Sequence, residues 1–290
     1  MTLVWRSMQY VPAHKEKFLS SEKIRHADAF IIDLEDAVPP NAKSAARENV
    51  ERGLEMLGRW NGDLLVRVNA EPGLVEPDIH ASVTERTRAL VLPKVQSAAQ
   101  IADLETVVLA AEIANGVVAG STGLVVLIED AIGLLNMGEI LKASPRILAI
   151  NLGNEDLAAD LRVEPTEEAL RFARQSMVIH ACAAKVMPLG LAGRATEFED
   201  MEAYRALAMR SRGMGSVGST CIHPNQIPVL NAVFSPTSAE IDHAEQVLQA
   251  SEGQQGGAFA LNGRMIDAPI LARARQVLSQ RERIIKKSTT

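Results

Sequence analysis

Apolar runs of strand length alternate with segments of helical periodicity along most of the chain. The runs are mostly continuous, which is typical of parallel strands that are buried on both faces. The helical segments between them predict crossover connections. The runs that we predict as strands are Met8–Val11, Ala29–Leu34, Leu64–Val68, Ala89–Leu92, Leu124–Ile128, Ile147–Leu152, Lys185–Leu189 and Ser219–Ile222.

Eight such strand–helix units in about 235 residues have the length of a TIM (β/α)8 barrel, and we predict this α/β fold. A doubly wound open sheet is the competing architecture, but eight strands that alternate this regularly favour closure. Helices are predicted over Ala42–Leu57, Ala98–Ala114, Ala131–Ala143, Thr166–Ala184 and Glu199–Arg212.

The last part of the chain does not fit inside the barrel. We predict a catalytic barrel over residues 1–236 and a helix–hairpin–helix extension over residues 237–290. An amphipathic segment, Ser238–Ser251, precedes a short hairpin that turns at Asn262 and Gly263, which is a strong two-residue turn signal. A final helix starts near Ala268, and the Gly- and Gln-rich residues 251–264 predict a lid. The extension would fold over the barrel mouth or reach a neighbouring subunit.

Carboxylates follow the predicted strands at the points where two of them end. Glu129 and Asp130 follow the fifth strand, and Glu155 and Asp156 follow the sixth. Neighbouring parallel strands place their C-terminal ends side by side, on the rim where barrel enzymes carry their chemistry. Glu129 and Asp156 are therefore our candidate ligands for Mg²⁺, which keeps several waters and needs few protein carboxylates. Each acid alone could equally cap a helix, but two on adjacent strand ends favour a metal.

A second acidic cluster follows the second strand, where three carboxylates fall within residues 33–36. Glu35 and Asp36 would accept hydrogen bonds from water on the metal or from Arg67, or they would form a solvated helix cap, and the sequence leaves both interpretations open. Arg67 lies in an apolar strand and needs an anionic partner, either a substrate oxygen or one of these acids. Lys94, after the fourth strand, is either a cation beside the site or a structural partner of the cluster.

Composition removes several classes of function. The net charge is −6 and only 3% of residues are aromatic, whereas a nucleic-acid binder more often has a basic stripe with stacking aromatics. No window resembles a membrane span, and the N-terminus lacks the apolar core of a signal peptide. Cys182 and Cys221 lie far apart in apolar surroundings, which indicates reduced thiols in a cytoplasmic protein.

Eight short motifs occur in the order found in one enzyme family, and these are RSMQYVPA, DLEDAV, RVN, VLPK, LIED, GNEDLAAD, CIHPNQI and NGRMIDAP. On these motifs the chain resembles the citrate lyase β-subunit-like enzymes of the HpcH/HpaI aldolase superfamily, and it looks most like the stand-alone malyl-CoA and citramalyl-CoA lyases. The resemblance covers nearly the whole chain.

The resemblance implies a magnesium-dependent barrel, usually a homotrimer, whose extension crosses to a neighbouring subunit. Glu129 and Asp156 match the family's metal ligands, and Arg67 matches the arginine that contacts the substrate's carbonyl or carboxylate. Asp267 matches a catalytic aspartate that is donated from another subunit. Contacts to substrate or CoA are implied for Tyr10 and Lys17, and for the backbone around Thr220 and Cys221.

The implied activity is reversible Claisen-type cleavage of a 3-hydroxy-3-carboxyacyl-CoA of the citramalyl or malyl type to a 2-keto acid and acetyl-CoA. Three alternatives stay open. The first is the β subunit of a citrate lyase complex, which acts with α and γ subunits on citryl-ACP or citryl-CoA. The second is a malyl-CoA-type thioesterase, and the third is a non-catalytic barrel that binds CoA or a partner. Ser219 stands where the family often has Lys or Arg, so a contact to the phosphate of CoA or ACP is in doubt. Asp130 replaces a common threonine and is the candidate base for hydrolysis.

Overall fold

The computed structural model describes residues 3–193, 199–252 and 258–289. Its main element is a sheet of eight parallel strands in the order β7-β6-β5-β4-β3-β2-β1-β8. These strands are β1 (Ser7–Pro12), β2 (Ala29–Asp33), β3 (Asp63–Arg67), β4 (Thr87–Leu92), β5 (Gly123–Ile128), β6 (Ile147–Leu152), β7 (Met187–Pro188) and β8 (Ser219–Cys221).

The two ends of this sheet meet, so the strands form a closed barrel. Leu189, directly after β7, pairs in parallel with Gly218, directly before β8. The N–H of Gly190 also donates to the carbonyl oxygen of Gly218 at 2.8 Å. A Cβ on Gly218 would lie 1.8 Å from the carbonyl oxygen of Trp5, so only glycine permits this close approach. The fold is the TIM (β/α)8 barrel that the sequence predicts.

Helices follow the strands and bury them. Every residue of β2 and β5 is buried, as expected for parallel strands inside a barrel. The helices are α1 (Glu16–Leu19), α2 (Lys43–Glu48), α3 (Val50–Leu57), α4 (Val75–Ser82), α5 (Ala98–Ala114), α6 (Ala131–Ile140), α7 (Asn154–Leu161), α8 (Glu167–Ala184), α9 (Met201–Gly213), α10 (Gln226–Val233), α11 (Ser238–Ser251) and α12 (Ala268–Thr289).

Several predicted bounds differ from the observed ones for local reasons. The seventh strand was expected from Lys185, but Lys185 ends α8 with a φ of 61°, so the strand begins two residues later, at Met187. Asn49 divides the predicted helix Ala42–Leu57 into α2 and α3. The predicted helices leave out α1, α4, α7 and α10, which have at most eight residues each and are too short to show a clear period.

The N-terminal ends of β5 and β6 are joined by a buried ion pair. Arg146 precedes β6 and donates from Nη1 and Nη2 to the two carboxylate oxygens of Glu112, each at 2.8 Å. Glu112 also accepts the backbone N–H groups of Gly120 and Thr122. Burial alone would raise the pKa of Glu112, but these hydrogen bonds outweigh it and lower the pKa to about 2. The ionised carboxylate therefore stabilises the barrel.

This ion pair predicts how stability depends on pH. The pKa of Glu112 is about 2 in the fold against 4.5 for an ordinary glutamate, so its contribution is complete above pH 4.5 and is lost as pH falls toward 2. At neutral pH, Glu112→Gln should lower the free energy of unfolding by about 3 kcal/mol. Chemical denaturation between about pH 5 and pH 3 should show a shallower pH dependence in this variant than in the wild type. Glu139→Gln, which alters an exposed pair with Lys142, is the control and should change neither quantity.

The chain divides into two compact units, which we describe separately. The first is the barrel, Trp5–Asn231, and the second comprises the described residues from Ala232 onward with Leu3 and Val4. In the second unit, α11 begins with a capping box between Thr237 and Glu240. The predicted helix–hairpin–helix order is present, and the strands β9 (Phe259–Leu261) and β10 (Arg264–Ile266) form the hairpin. The core of this unit consists of Ala244, Val247, Ile266 and Ala274 with the apolar side chains around them.

Among the described residues, no helix combines the length and the apolar character that crossing a bilayer requires.

Candidate active site

A pocket of about 170 Å³ opens at the C-terminal ends of the barrel strands. Strands β1, β3, β5, β6 and β8 and the segments after β5, β6 and β7 contribute to its wall, so it occupies the catalytic rim of the fold. The pocket brings together five residues that the sequence singles out, and these are Tyr10, Arg67, Glu129, Asp156 and Thr220. The remaining lining residues are Leu127, Asn151, Leu152, Gly153, Asn154, Glu155, Gly190, Leu191 and Ser219.

Glu129 follows the last residue of β5 and is only 6% exposed. Its Oε2 accepts the backbone N–H of Lys94 at 3.1 Å, and Lys94 adopts a positive φ of 54° at this turn. Burial, together with the negative charges of Glu35 and Asp156, raises the pKa of Glu129 to about 8, although Arg67 opposes the shift. A buried carboxylate that is disfavoured in its charged form needs a cation to keep it ionised at neutral pH.

Asp156 lies in the first turn of α7, which begins directly after β6, and its carboxylate is exposed to solvent. Asp156 and Glu129 line the same pocket, and the charge of Asp156 acts on Glu129. The described residues contain no group of three or more metal-ligating side chains. Two carboxylates at a solvent-accessible pocket nevertheless fit Mg²⁺, which completes its octahedron with water and substrate oxygens.

Gly153 keeps the space that Glu129 occupies. A Cβ at this position would lie 2.6 Å from Cγ and 2.9 Å from Oε1 of Glu129, although the backbone φ of −77° suits any residue. Gly153→Ala should therefore displace the carboxylate and raise the dissociation constant of Mg²⁺, measured by calorimetry, about tenfold or more. In Gly213→Ala the added methyl group meets nothing within 4 Å, so this control should bind Mg²⁺ like the wild type. Equal affinities in the two variants would disprove the role of Gly153.

Arg67, the last residue of β3, is held by three acids of the DLEDAV motif. Its Nε and Nη2 donate to the two carboxylate oxygens of Asp33 at 2.8 and 2.7 Å. Its Nη1 lies 2.9 Å from Glu35 and 3.2 Å from Asp36. Arg67 also lines the pocket. The ion pair that the sequence offers as one interpretation is present, and a substrate contact stays a prediction.

Tyr10 and Lys94 complete this network. The Arg67 guanidinium carbon lies 4.7 Å from the centre of the Tyr10 ring. Burial raises the pKa of Tyr10 well above its usual range, so the phenol is protonated at neutral pH. Lys94 Nζ lies 3.3 Å from Glu35, which makes Lys94 a partner of the acidic cluster. Burial raises the pKa of Glu35 above its usual range, although Arg67 and Lys94 oppose the shift.

The other predicted site residues lie outside the pocket lining. Lys17 is exposed on α1. Cys221 is buried with its Sγ 3.5 Å from Oε1 of Gln9, and burial raises the pKa of its thiol. Asp267 lies in the second unit, where it caps α12 by accepting the N–H of Ile270 at 3.4 Å. The proposed roles of these three residues stay predictions.

Three polar residues at this rim were not among the predicted site residues. Asn151 and Asn154 line the pocket, and Nδ2 of Asn154 donates to the carbonyl oxygens of Leu191 and Gly193 at 2.9 and 2.6 Å. Arg174 of α8 is fully buried behind them. Helical spacing could have indicated the burial of Arg174, because residues 170, 174, 177 and 181 form one buried stripe on α8.

The family profile described as HpcH/HpaI aldolase/citrate lyase matches residues 6–224, which is most of the chain and the whole of the pocket lining. The chain belongs to the HpcH/HpaI aldolase/citrate lyase family. This result confirms the resemblance that the eight motifs indicate, and with it the expected enzyme class, a carbon–carbon lyase.

Three relatives in this family carry different activities. Citrate lyase subunit beta of Escherichia coli K12 is 36% identical over 288 residues, with 96% of this chain and 93% of that protein covered. The L-malyl-CoA/beta-methylmalyl-CoA lyase of Rhodobacter capsulatus is 32% identical, with coverages of 93% and 91%. The (3S)-malyl-CoA thioesterase of Cereibacter sphaeroides is 33% identical, with coverages of 97% and 95%.

Solved structures within the family agree with the fold. CitE of Mycobacterium tuberculosis, in complex with magnesium, acetoacetate and coenzyme A, has a TM-score of 0.77 and 27% identity, with 97% of this chain and 99% of that chain covered. A citrate lyase of Burkholderia xenovorans LB400 has a TM-score of 0.84 at 20% identity, with coverages of 96% and 92%. The second likeness supports the fold alone.

Proposed function

We propose that this chain is a Mg²⁺-dependent lyase that reversibly cleaves a 3-hydroxy-3-carboxyacyl-CoA, of the malyl or citramalyl type, to a 2-keto acid and acetyl-CoA. The observation that carries the proposal is that Glu129 and Asp156 line one pocket at neighbouring strand ends, beside Arg67. Magnesium and coenzyme A in the related CitE complex support the same cofactor and thioester here.

Glu129 and Asp156 would hold the ion in this proposal. When bound, Mg²⁺ supplies a Lewis acid for the hydroxy-carboxylate end of the substrate and a template that orients it. The protein's part is to keep the side chain of Glu129 in place. Gly153 leaves room for its side chain, and the Lys94 N–H fixes one of its oxygens.

Arg67 is the proposed donor to the thioester oxygen. Cleavage breaks the bond between the carbinol carbon and the methylene carbon. The hydroxyl proton passes to water, the C–O bond becomes the carbonyl of the keto acid, and the electron pair passes into a thioester enolate. Three acids already offset the charge of Arg67, so its contribution is a directed N–H rather than a net positive charge. Because those acids also fix its orientation, the donor needs no reorganisation when negative charge develops on the oxygen. The protonated Tyr10 hydroxyl provides a further donor in the same wall.

Asp267 is the proposed acid that protonates the enolate carbon in cleavage and the base that removes the proton in condensation. In this proposal it reaches the pocket from a neighbouring subunit of a homotrimer, and the extension excludes water from the enolate. A shared site of this kind predicts that isolated monomers are inactive.

Subunit mixing tests the shared site. Glu129→Gln and Asp267→Asn should each be inactive alone, because each disables every site of its own trimer. After unfolding and joint refolding at equal amounts, random assembly should restore about one quarter of the sites if Asp267 comes from a neighbour. No recovery, from a mixture that has formed mixed oligomers, would place Asp267 in its own subunit's site or outside the mechanism.

A coupled assay tests the proposed activity and names the substrate. Malyl-CoA, citramalyl-CoA and citryl-CoA would be offered separately with Mg²⁺, and glyoxylate, pyruvate or oxaloacetate would be detected. We expect keto acid release from a malyl-type or citramalyl-type ester, and complete loss of that release with EDTA. No release from any of the three esters would contradict the proposal.

Citrate lyase β activity is the second candidate, because the Escherichia coli relative is a citrate lyase subunit. In that case the substrate is a citryl group on an acyl carrier protein, and α and γ subunits complete the complex. Ser219 is buried and lines the pocket, so this position offers no cation to a phosphate. Cleavage of citryl-ACP without cleavage of the CoA esters would favour this candidate.

Thioester hydrolysis has less support from the site. The candidate base for hydrolysis, Asp130, caps α6, where its Oδ1 accepts a hydrogen bond from the N–H of Gly133 at 2.7 Å. Oδ2 of Asp130 accepts a hydrogen bond from Nε2 of Gln96 at 2.5 Å. Both carboxylate oxygens of Asp130 are therefore engaged. Asp130 does not belong to the pocket lining.

A further inference from the structure

Arg174 is a fully buried cation behind the pocket wall. It lies on the buried stripe of α8 and is 0% exposed. Its Nη1 donates to the carbonyl oxygen of Leu189 at 2.7 Å, and its Nη2 donates to Oδ1 of Asn154 at 2.9 Å and to the carbonyl oxygen of Leu191. Its partners are therefore two carbonyls and one amide, all neutral.

No carboxylate neutralises Arg174 within the described ranges. Its Nε is buried without a hydrogen-bond partner there, and burial lowers the pKa of the guanidinium to about 9. Arg146, another buried arginine of the barrel, has both Glu112 and Glu105 as partners. Burying an unpaired charge costs free energy that a neutral side chain of similar size would not cost. A structural role alone does not require that charge.

The three groups that Arg174 holds belong to two separate segments of the pocket wall. Leu189 and Leu191 flank Gly190 after β7, where the barrel closes on β8. Asn154 is the first residue of α7, whose first turn carries Asp156. One guanidinium thus fixes the loop after β7 relative to the helix that presents the proposed metal ligand.

Gly190 lines the pocket and packs closely against Arg174. It has a φ of +103°, and a Cβ there would lie 2.0 Å from Oδ1 of Asn151 and 2.7 Å from Nη1 of Arg174. Oδ1 of Asn151 is buried and has no partner among the described residues, although Asn151 lines the pocket. Arg174 therefore lies directly behind the wall of the pocket.

We propose that Arg174 is a positioning residue of this site, which holds α7 and the loop after β7 in the geometry that binds Mg²⁺ and an anionic keto acid. Its uncompensated charge favours a carboxylate in the adjoining pocket, which a neutral side chain of similar size would not do. The inference rests on the proposed function, because it concerns the ligands of that reaction.

Binding measurements separate this role from a purely structural one. Calorimetry would measure the dissociation constant of Mg²⁺, and then that of pyruvate at saturating Mg²⁺, below the melting temperature of each variant. Arg174→Met should raise both constants about tenfold or more, and Arg174→Lys, which keeps the charge, should restore part of the pyruvate affinity. Arg146→Met is the matched control, because it removes a buried arginine at the opposite end of the strands. It should lower the melting temperature and leave both constants unchanged.

Unchanged constants in Arg174→Met, with only a lower melting temperature, would overturn the inference. If Arg174→Met does not fold, Arg174→Lys and Asn154→Ala decide the question, because each weakens the tie to α7 and should raise the Mg²⁺ constant. Failure of the wild-type protein to bind Mg²⁺ would instead overturn the proposed function together with this inference.

Discussion

Glu129→Gln is expected to reduce turnover about 10³-fold while the protein stays folded. The amide removes one of two anionic ligands and with it several kcal/mol of transition-state stabilisation, at about 1.4 kcal/mol for each tenfold change in rate. With a pKa of about 8, Glu129 of the metal-free protein is mostly protonated at neutral pH, and this shift costs folding free energy that glutamine does not. The melting temperature of the metal-free variant should therefore equal or exceed that of the wild type. Initial rates over a Mg²⁺ titration, with thermal melts alongside, measure both effects.

Asp130→Asn is the matched control for this substitution. Asp130 is the next residue in the chain and lies outside the pocket lining, and asparagine preserves the cap of α6. We expect its turnover to stay within about twofold of the wild type, because surface and cap changes of this kind are small. Mg²⁺-dependent turnover of normal size in Glu129→Gln would remove Glu129 from the proposed metal site.

Asp267→Asn is expected to lower turnover by about 10²–10⁴-fold, the usual contribution of a general acid–base group. Asparagine caps a helix as well as aspartate does, so α12 should keep its start at Ala268. The affinity for Mg²⁺ should not change, because the proposed ligands lie in the barrel. Single-turnover rates together with Mg²⁺ calorimetry would separate the loss of proton transfer from a loss of binding.

Glu240→Gln provides the comparison within the same unit of the chain. Glu240 completes the capping box of α11, and glutamine serves in that box as well as glutamate. Turnover in this variant should equal that of the wild type. If Asp267→Asn and Glu240→Gln are equally active, Asp267 takes no part in proton transfer.

The sequence predicted the fold and five of the residues that line the pocket because strand ends are easy to recognise. Continuous apolar runs located the eight strands, and the polar residues directly after them located the rim. Glu129, Asp156 and Arg67 meet in one pocket because parallel neighbours align their C-terminal ends. This deduction needs only the order of strands, and strand order follows from the pattern.

Contacts that depend on exact side-chain directions could not be predicted in this way. The sequence offered Glu35 or Asp36 as the partner of Arg67, whereas the two-oxygen contact is made by Asp33. Arg174 and Asn154 meet across 20 residues through a loop whose path the sequence pattern does not define. The space around Gly153 is equally a property of the packed barrel. These features appear only when the elements are placed in three dimensions.

The bounds of short strands were predicted less accurately for a related reason. The strand β7 has two residues, and the seam between β7 and β8 depends on one bridge and on a glycine that accepts close backbone contact. Such elements are formed by their neighbours rather than by their own propensity, so a window of local sequence carries little information about them.

We expect this site to break a carbon–carbon bond and to leave the thioester intact. Mass spectrometry of the CoA products formed from malyl-CoA, citramalyl-CoA and citryl-CoA, with Mg²⁺ and with EDTA, distinguishes this reaction from hydrolysis. A lyase releases acetyl-CoA and a keto acid in equal amounts from a malyl-type or citramalyl-type ester, and neither product with EDTA. Free CoA and an intact hydroxy acid, without acetyl-CoA, would instead identify a thioesterase.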